Sequence, residues 1–516
     1  MSAAVAMAHT KPYDGRTWWL HLDTQPGVRE VLARAERCAK LTIPSLYFEE
    51  GTQAPDAENV PAEWQSYGAQ LLNHLATRLM LALFAPSRPF ARMDPTIGFA
   101  QAAAQTGLDE TGLKAILALA EKEQVRELDR RAMRPKLFEL LKQILAIGPT
   151  LMIKDLPNKQ LRVMSVRYFR LKRNIYGKLH TLCIREQVPA DELDETLRMA
   201  LPEGKRDALS VVYFILVQRK PGGDERFTVK HYVEDVEVTA WAKEFARKDL
   251  PYVPVTWTLA DNENYGNSLV AEYAGDFSAF ERLCKAQSQA GVLASTYRWL
   301  KDPSATMSAK EFEDSEDGEV VSGEKGSLAI VNIAKEMAEA MQAQELVRKP
   351  LEQRLGRAFV LASAVVRDSE RTTGVEIRQL AQELDTGLGG GYSRLAVDVQ
   401  EPLAHFLLDL VDVSFKPKDI ELTVVTGLDA LSRSGDLANM REWLSSMAAA
   451  AQLPEPLLMR LKWDVIAQDF ATPLGIVATK YTLTDEQVKQ QLDEQAKRDA
   501  AARGAQPQPQ QGTQPQ

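Results

Sequence analysis

Three long amphipathic segments, separated by two polar inserts, set the frame of the second half of this chain. Leu269, Tyr273, Phe277, Phe280 and Cys284 step by three or four residues through 267–297, the spacing of one helical face. Ile333, Met337, Met341, Leu351, Leu355 and Phe359 mark a second helix over 333–360, which Pro350 kinks or breaks. Ile377, Leu380, Leu384, Leu388, Tyr392, Leu395, Val399, Leu403 and Phe406 mark the buried face of a third over 374–411. The stripes at 269–284 and 333–359 are too long and narrow for one subunit to cover alone, so they predict packing against other chains.

The first half changes character partway. Helical spacing predicts helices over 28–38 and 64–84, the second ended by Pro86 and Pro89, and two or three more over 107–148. Beyond Leu151 the segments 160–172, 178–186, 209–219 and 226–239 are rich in Val, Tyr, Phe and Thr. Tyr176-Gly177 and Pro221-Gly222-Gly223 punctuate them, which predicts an antiparallel β unit, with a further strand over 252–259. A strand at 420–426 is expected to return to an earlier sheet, and helices resume over 428–500. Residues 1–25 read as irregular, with Trp18 and Trp19 facing a partner. Ala501–Gln516, mostly Gln, Pro, Ala and Gly, cannot bury apolar surface and read as disordered. The fold class is α+β, mainly helical.

Several function classes find no support. The chain contains no GxxxxGK[ST] phosphate loop, no HExxH and no GxSxG. His9, His21, His74, His180, His231 and His405 are isolated from one another, so no metal spacing stands out. Cys38, Cys183 and Cys284 are far apart and form no CxxC pair, which fits a reducing cytoplasm rather than a disulfide framework. The longest apolar run, Leu79–Ala85, is too short to cross a bilayer, and the N-terminus lacks the apolar stretch of a signal peptide. No cofactor is expected, and an enzyme is disfavoured, although a site assembled from distant residues leaves no local motif. A formal net charge of −9 with no dense Lys/Arg block argues against tight static binding of nucleic acid.

Three polar or flexible strings stand out. Gly387-Leu388-Gly389-Gly390-Gly391 invites comparison with a phosphate-cradling loop, but such loops follow a strand, and the residues before it are helical in pattern. A kinked or closely packed helix is the better reading. Glu311, Glu313, Asp314, Glu316, Asp317 and Glu319 place six carboxylates in nine residues without the alternation of a calcium loop. They form either a solvated acidic loop or a repelling rim. Arg367, Asp368, Ser369, Glu370, Arg371, Thr372 and Thr373 mix both charge signs with hydroxyls between two helices. That composition suits either an ordinary connector or a flexible loop at a pore.

Five strings, in order, resemble the portal, or head-to-tail connector, family of short-tailed bacteriophages. They are Cys38 to Leu46; Gly68 to Phe84; Tyr252 to Pro254 with Tyr265-Gly266, Glu272-Tyr273 and Gly275-Asp276; Ala358-Phe359 through Ser363 to Val365, Glu370-Arg371, Glu376 to Arg378 and Leu388 to Gly390; and Thr426 to Leu428. They span roughly residues 28–445.

The resemblance implies a portal fold assembled as a ring of about twelve subunits at one capsid vertex, closed by heterologous contacts. It implies a wing over 1–264, stem helices over 265–297 and 333–360, and a clip over 298–332. A channel loop over 361–373 and a channel helix over 374–410 follow, then a wing return strand and helix over 411–449. A crown over 450–500 and a tail over 501–516 complete the chain. Residues 367–373 would face DNA, the glycines at 387 and 389–391 would loosen the channel helix, and the acidic run would rim the clip. The implied partners are double-stranded DNA in the channel, the terminase large subunit, a tail adaptor, and the major capsid and scaffolding proteins, with no membrane. The implied setting is the virion, reached from the host cytoplasm during assembly. This chain departs from the family in its acidic clip and its Gln/Pro-rich end. Competing readings are another ring-forming virion protein, such as a tail adaptor or internal core protein, or a nucleic-acid-processing enzyme.

Overall fold

The computed structural model describes residues 14–47, 64–85, 89–96, 110–222, 225–295, 298–304, 328–331, 334–360, 390–411 and 420–424, with isolated positions at 98, 388 and 445 and scattered ones between 305 and 327. The chain divides into two compact units, Met1–Gly427 and Leu428–Gln516. The elements described below all belong to the first. The expected helices over 428–500, the crown over 450–500 and the tail over 501–516 lie outside the described residues, as does the channel loop over 361–373.

The N-terminal segment corrects the sequence reading. Helix α1 (Gly15–Asp23) begins at Asp14, whose side chain accepts a hydrogen bond from the Thr17 amide at 2.7 Å. Trp19 is only 6% exposed and packs with Leu22, Cys183, Phe214, Leu216 and Tyr232, under the Arg170 guanidinium. A helix of nine residues shows too few turns for its period to be read, and it is the sheet beneath that makes Trp19 a core residue.

Helices α2 (Val28–Lys40), α3 (Tyr67–Leu83), β-strand β1 (Ala91–Pro95), and helices α4 (Glu110–Arg130) and α5 (Met133–Ala146) follow. Helix α3 sits at the centre of the main core, with Leu71, Leu72, Leu75 and Leu79 fully buried. Buried residues take up most of its circumference, leaving Gln70, Asn73 and Thr77 exposed along one strip.

The β unit is two sheets. Strands β2 (Thr150–Asp155) and β3 (Gln160–Ser165) form a hairpin, and β10 (Tyr252–Val255) pairs with β2 on its other edge. Strands β4 (Phe169–Arg173), β5 (Leu179–Val188), β6 (Val211–Arg219), β7 (Arg226–Val233) and β8 (Val236–Glu237) run antiparallel in that order, with β9 (Lys243–Ala246) also on β7. The register sets Leu182 opposite Val217 and Ile184 opposite Ile215. The expected single segment 160–172 is therefore two strands in different sheets, divided by a 3₁₀ turn at Val166–Tyr168.

Helix α6 (Leu269–Glu272) and the long helix α7 (Ala274–Ser295) lead to a β11–β12 hairpin (Arg298–Lys301 with Leu328–Val331). Helix α8 (Ala334–Ala358) returns, with Pro350 inside it. Helix α9 (Gly390–Leu395), a π-helical turn (Ala396–Gln400) and helix α10 (Glu401–Leu410) form one continuous rod. Strand β13 (Ile420–Val424) then pairs with β1, a partner the sequence reading did not supply. The turn after β10 depends on Gly266. Its φ is +74°, and a Cβ there would lie 2.2 Å from the Thr258 carbonyl oxygen.

Candidate functional site: a helical hairpin and its flanking segments

Helices α7 and α8 pack antiparallel: Asp276 meets Arg354 at 3.1 Å near one end and Gln287 meets Glu345 at 3.1 Å further along. At the core end the contact is aromatic. Phe277 and Phe359 meet edge to face with centroids 5.6 Å apart, Tyr273 meets Phe359 at 6.1 Å, and Tyr67 of α3 meets Phe280 at 5.4 Å. Three polar ties fix this end to the rest of the core. The Tyr67 hydroxyl donates to the Glu352 carbonyl at 3.0 Å, the Trp64 amide to Glu281 at 2.8 Å, and Arg37 to Ser278 at 3.1 Å.

The middle of the hairpin is electrostatic. Arg348 forks between Glu345 and Glu352, each at 2.9 Å, and lies over the Phe280 ring. The hydrogen bond from Arg348, then that from Gln287, holds the Glu345 carboxyl down at about 2.

From the middle of the hairpin towards β11, several apolar side chains are exposed. Val292, Leu300, Leu346 and Val347 are all more than half exposed, Leu346 at 77%. They come from both helices and from the adjoining strand β11.

The acidic run lies between β11 and β12. Glu313, Asp314 and Glu316 are exposed. Glu311, Asp317 and Glu319 lie outside the described residues, as do all of Arg367, Asp368, Ser369, Glu370, Arg371, Thr372 and Thr373. Gly387 and Gly389 are also outside. Gly390 opens α9, and Gly391 is buried against Trp257, where a Cβ would stand 2.6 Å from the indole. Of the predicted helix over 374–411, the described part is helical from Gly390 to Leu410, and Leu395, Val399, Leu403 and Phe406 are buried as the stripe requires.

Two side chains that sequence reasoning passed over hold this rod in place. Gln400, fully buried in the π turn, donates to the Leu83 carbonyl at 2.6 Å and so caps α3. Gln124, also buried, donates to the Ala404 carbonyl at 2.9 Å. Nothing local in the sequence sets these two glutamines apart from exposed ones. Among the described residues no cluster of His, Cys, Asp or Glu is arranged to hold a metal, and no helix is long and apolar enough to cross a membrane.

The hairpin, tied into a mixed α/β core and carrying exposed apolar side chains, has the form of a structural subunit. Comparison with known proteins supplies the family. The profile of the bacteriophage head to tail connecting protein matches residues 25–480, and the chain belongs to that family. It is 32% identical over 469 residues to the portal protein of Enterobacteria phage T3, covering 88% of this chain and 85% of that one. It is 30% identical to the portal protein of Escherichia phage T7, covering 90% and 87%. Among solved structures it is similar to a chain in the virion of a native gene transfer agent particle, at 14% identity and a TM-score of 0.30, covering 78% of this chain and 99% of that one. That last likeness is too slight to carry an argument.

Proposed function

We propose that this protein is the portal subunit of a short-tailed bacteriophage, forming a ring at one capsid vertex through which DNA enters and leaves. The family match along residues 25–480, with curated portal proteins at about a third identity over most of the chain, is the observation that carries this reading. On it, α7 and α8 are the stem, the segment with β11 and β12 is the clip, and α9 to α10 is the distal part of the channel helix. The exposed apolar residues of the hairpin then face neighbouring subunits in the virion, an expectation in keeping with their exposure here.

The role is mechanical rather than enzymatic. A motor must drive DNA through the hole without the hole gripping it, and a densely basic lining would release counterions and hold the duplex. An acidic chain with few cations along the channel keeps friction low. The energy is supplied by a separate terminase large subunit docking at the clip. A tail adaptor takes the same face later, and the major capsid and scaffolding proteins surround the wing.

The segment 361–373 is assigned to the channel loop, with Arg367 and Arg371 making transient phosphate contacts that Asp368 and Glu370 keep weak. Negative-stain images of the purified chain are expected to show rings with a central hole; a stable monomer at micromolar concentration would overturn the reading. Deleting Asp368 to Arg371 should leave rings and proheads intact while lowering full-length, nuclease-protected DNA in the particles. Normal packaging and retention in that variant would remove the loop from the mechanism.

A further inference from the structure

A cleft of about 580 Å³ opens between the β4–β5 turn, the segment leading into β10, and the rod formed by α9, the π turn and α10. Its charge runs against that of the chain. Arg173, Lys178, Arg219, Arg247, Lys248 and Arg394 line it, opposed by three carboxylates, Glu225, Asp398 and Glu401. The cleft therefore carries a net charge of plus three in a protein whose formal charge is −9.

The carboxylates neutralise only some of these cations. Arg394 pairs with Asp398 at 2.8 Å across the π turn. Lys178 and Arg247 share one carboxylate, Glu225. Arg219 and Lys248 form no ion pair among the described residues. Arg173 is placed differently from the rest. It donates to three backbone carbonyls, those of Gly177 at 2.9 Å, Asn264 at 2.8 Å and Pro254 at 3.2 Å. Neutral acceptors fix its orientation and leave its charge uncancelled. Burial lowers its proton affinity to about 10, with Asp398 opposing and the cations of Arg394 and Arg247 adding to the fall, so it remains charged at neutral pH. His405, on the α10 side, is held neutral by burial and adds no charge there at pH 7.

Gathering like charges around a partly buried guanidinium is unfavourable unless an anion completes the set. We propose that this cleft binds a phosphate-bearing anion, with Arg173 as the fixed inner cation and Arg219, Arg247 and Lys248 closing on its oxygens. Its volume falls in the range of small-ligand sites and holds a group of nucleotide size. Tyr176, on the β4–β5 turn at the rim and 77% exposed, offers a ring face to a base attached to such a phosphate. The phosphate can come from a nucleic-acid backbone or from a free nucleotide. The first source rests on the conduit function proposed above; the second does not.

The full chain is titrated with inorganic pyrophosphate, with ATP, and with a short fluorescein-labelled DNA duplex, each at low and moderate salt. The same preparation is imaged for rings, so that loss of the conduit reading is scored apart from loss of the site. Saturable binding of at least one probe is expected, weakened by at least about tenfold in the double variant Arg219→Ala/Lys248→Ala. Those two side chains hold no other element in place, so the variant should fold, and an unchanged melting temperature verifies it. Duplex binding that pyrophosphate displaces, without ATP binding, assigns the backbone; ATP binding without duplex binding assigns a free nucleotide. Absence of binding by all three probes, equal binding by the double variant, or binding by unassembled chains alone, with the cleft covered by a neighbouring copy in the ring, would each overturn the proposal.

Discussion

Gly391 stands against the Trp257 indole so closely that a Cβ on it would lie 2.6 Å from Cζ2 and 2.7 Å from Cε2 of that ring. Trp257 is itself buried, and a cavity lined by both residues lies beside them, so the sign of a substitution here depends on whether the indole shifts into it. Helix propensity alone makes Gly to Ala stabilising by about 1 kcal/mol. Overpacking against an indole that keeps its place works in the other direction by about 1–3 kcal/mol. The expected outcome is that Gly391→Ala destabilises and Gly391→Leu does so more strongly. Urea unfolding followed by tryptophan fluorescence checks this, and a stabilised Gly391→Ala would show that the rod shifts freely away from Trp257.

Phe359 is fully buried and edge to face with Phe277. Removing its ring opens a cavity where α8 meets α3 and α7, at a cost of about 3–5 kcal/mol. Phe359→Ala should lower the melting temperature clearly by calorimetry, whereas Phe359→Leu should recover most of the loss.

The exposed pair Leu346 and Val347 tests assembly without touching the core. Changing both to Asp introduces charges wherever another chain would cover them, while in the lone subunit they remain in water. Light scattering should find monomers or small species with an unchanged circular dichroism spectrum. Full-size assemblies from this variant would place the subunit contacts elsewhere.

Stability should fall as the solution is acidified from pH 7 towards 4. Burial lowers His231 and His405 to about 4 each, with Lys243 adding to the effect on His231 and Lys248 and Lys154 on His405. The unfolded chain takes up these protons near the ordinary histidine value of about 6.5 and the folded chain takes them up only near 4. Between those limits the unfolded state binds more protons, so stability is present at neutral pH and lost as pH drops. Urea midpoints at pH 7 and pH 5 measure it. His231→Gln, which keeps a polar group beside the Tyr213 hydroxyl, should flatten the slope; an unchanged slope would mean that His231 titrates normally.

How much of this was legible in advance depended on the reach of each signal. The stripes Leu269 to Cys284 and Ile333 to Phe359 are local and long, and they pointed to α7 and α8 within a few residues. Strands β5, β6 and β7 were equally plain, because β-branched runs and the Pro221-Gly222-Gly223 turn bracket them. The segment 160–172 was misread as one strand because Val166–Tyr168 continues the same apolar composition while turning the chain from one sheet to another. Helix α1 was missed for want of length, and β1 because its partner, β13, lies more than three hundred residues away.

The candidate sites divide in the same way. Residues 269–295 and 334–358 carried their helical role in their own spacing, since a side chain every three or four positions falls on one face wherever the chain goes. The anchoring of that hairpin by Tyr67, Trp64 and Arg37 was decided by tertiary structure, as were the burial of Trp19 and the capping of α3 by Gln400. So was the meeting of Arg173, Arg247 and Arg394, which come from three separate stretches of the chain. Periodicity is a property of neighbours along the chain; burial, capping and clustered charge are properties of neighbours in space, and they come into being only when packing brings distant segments together.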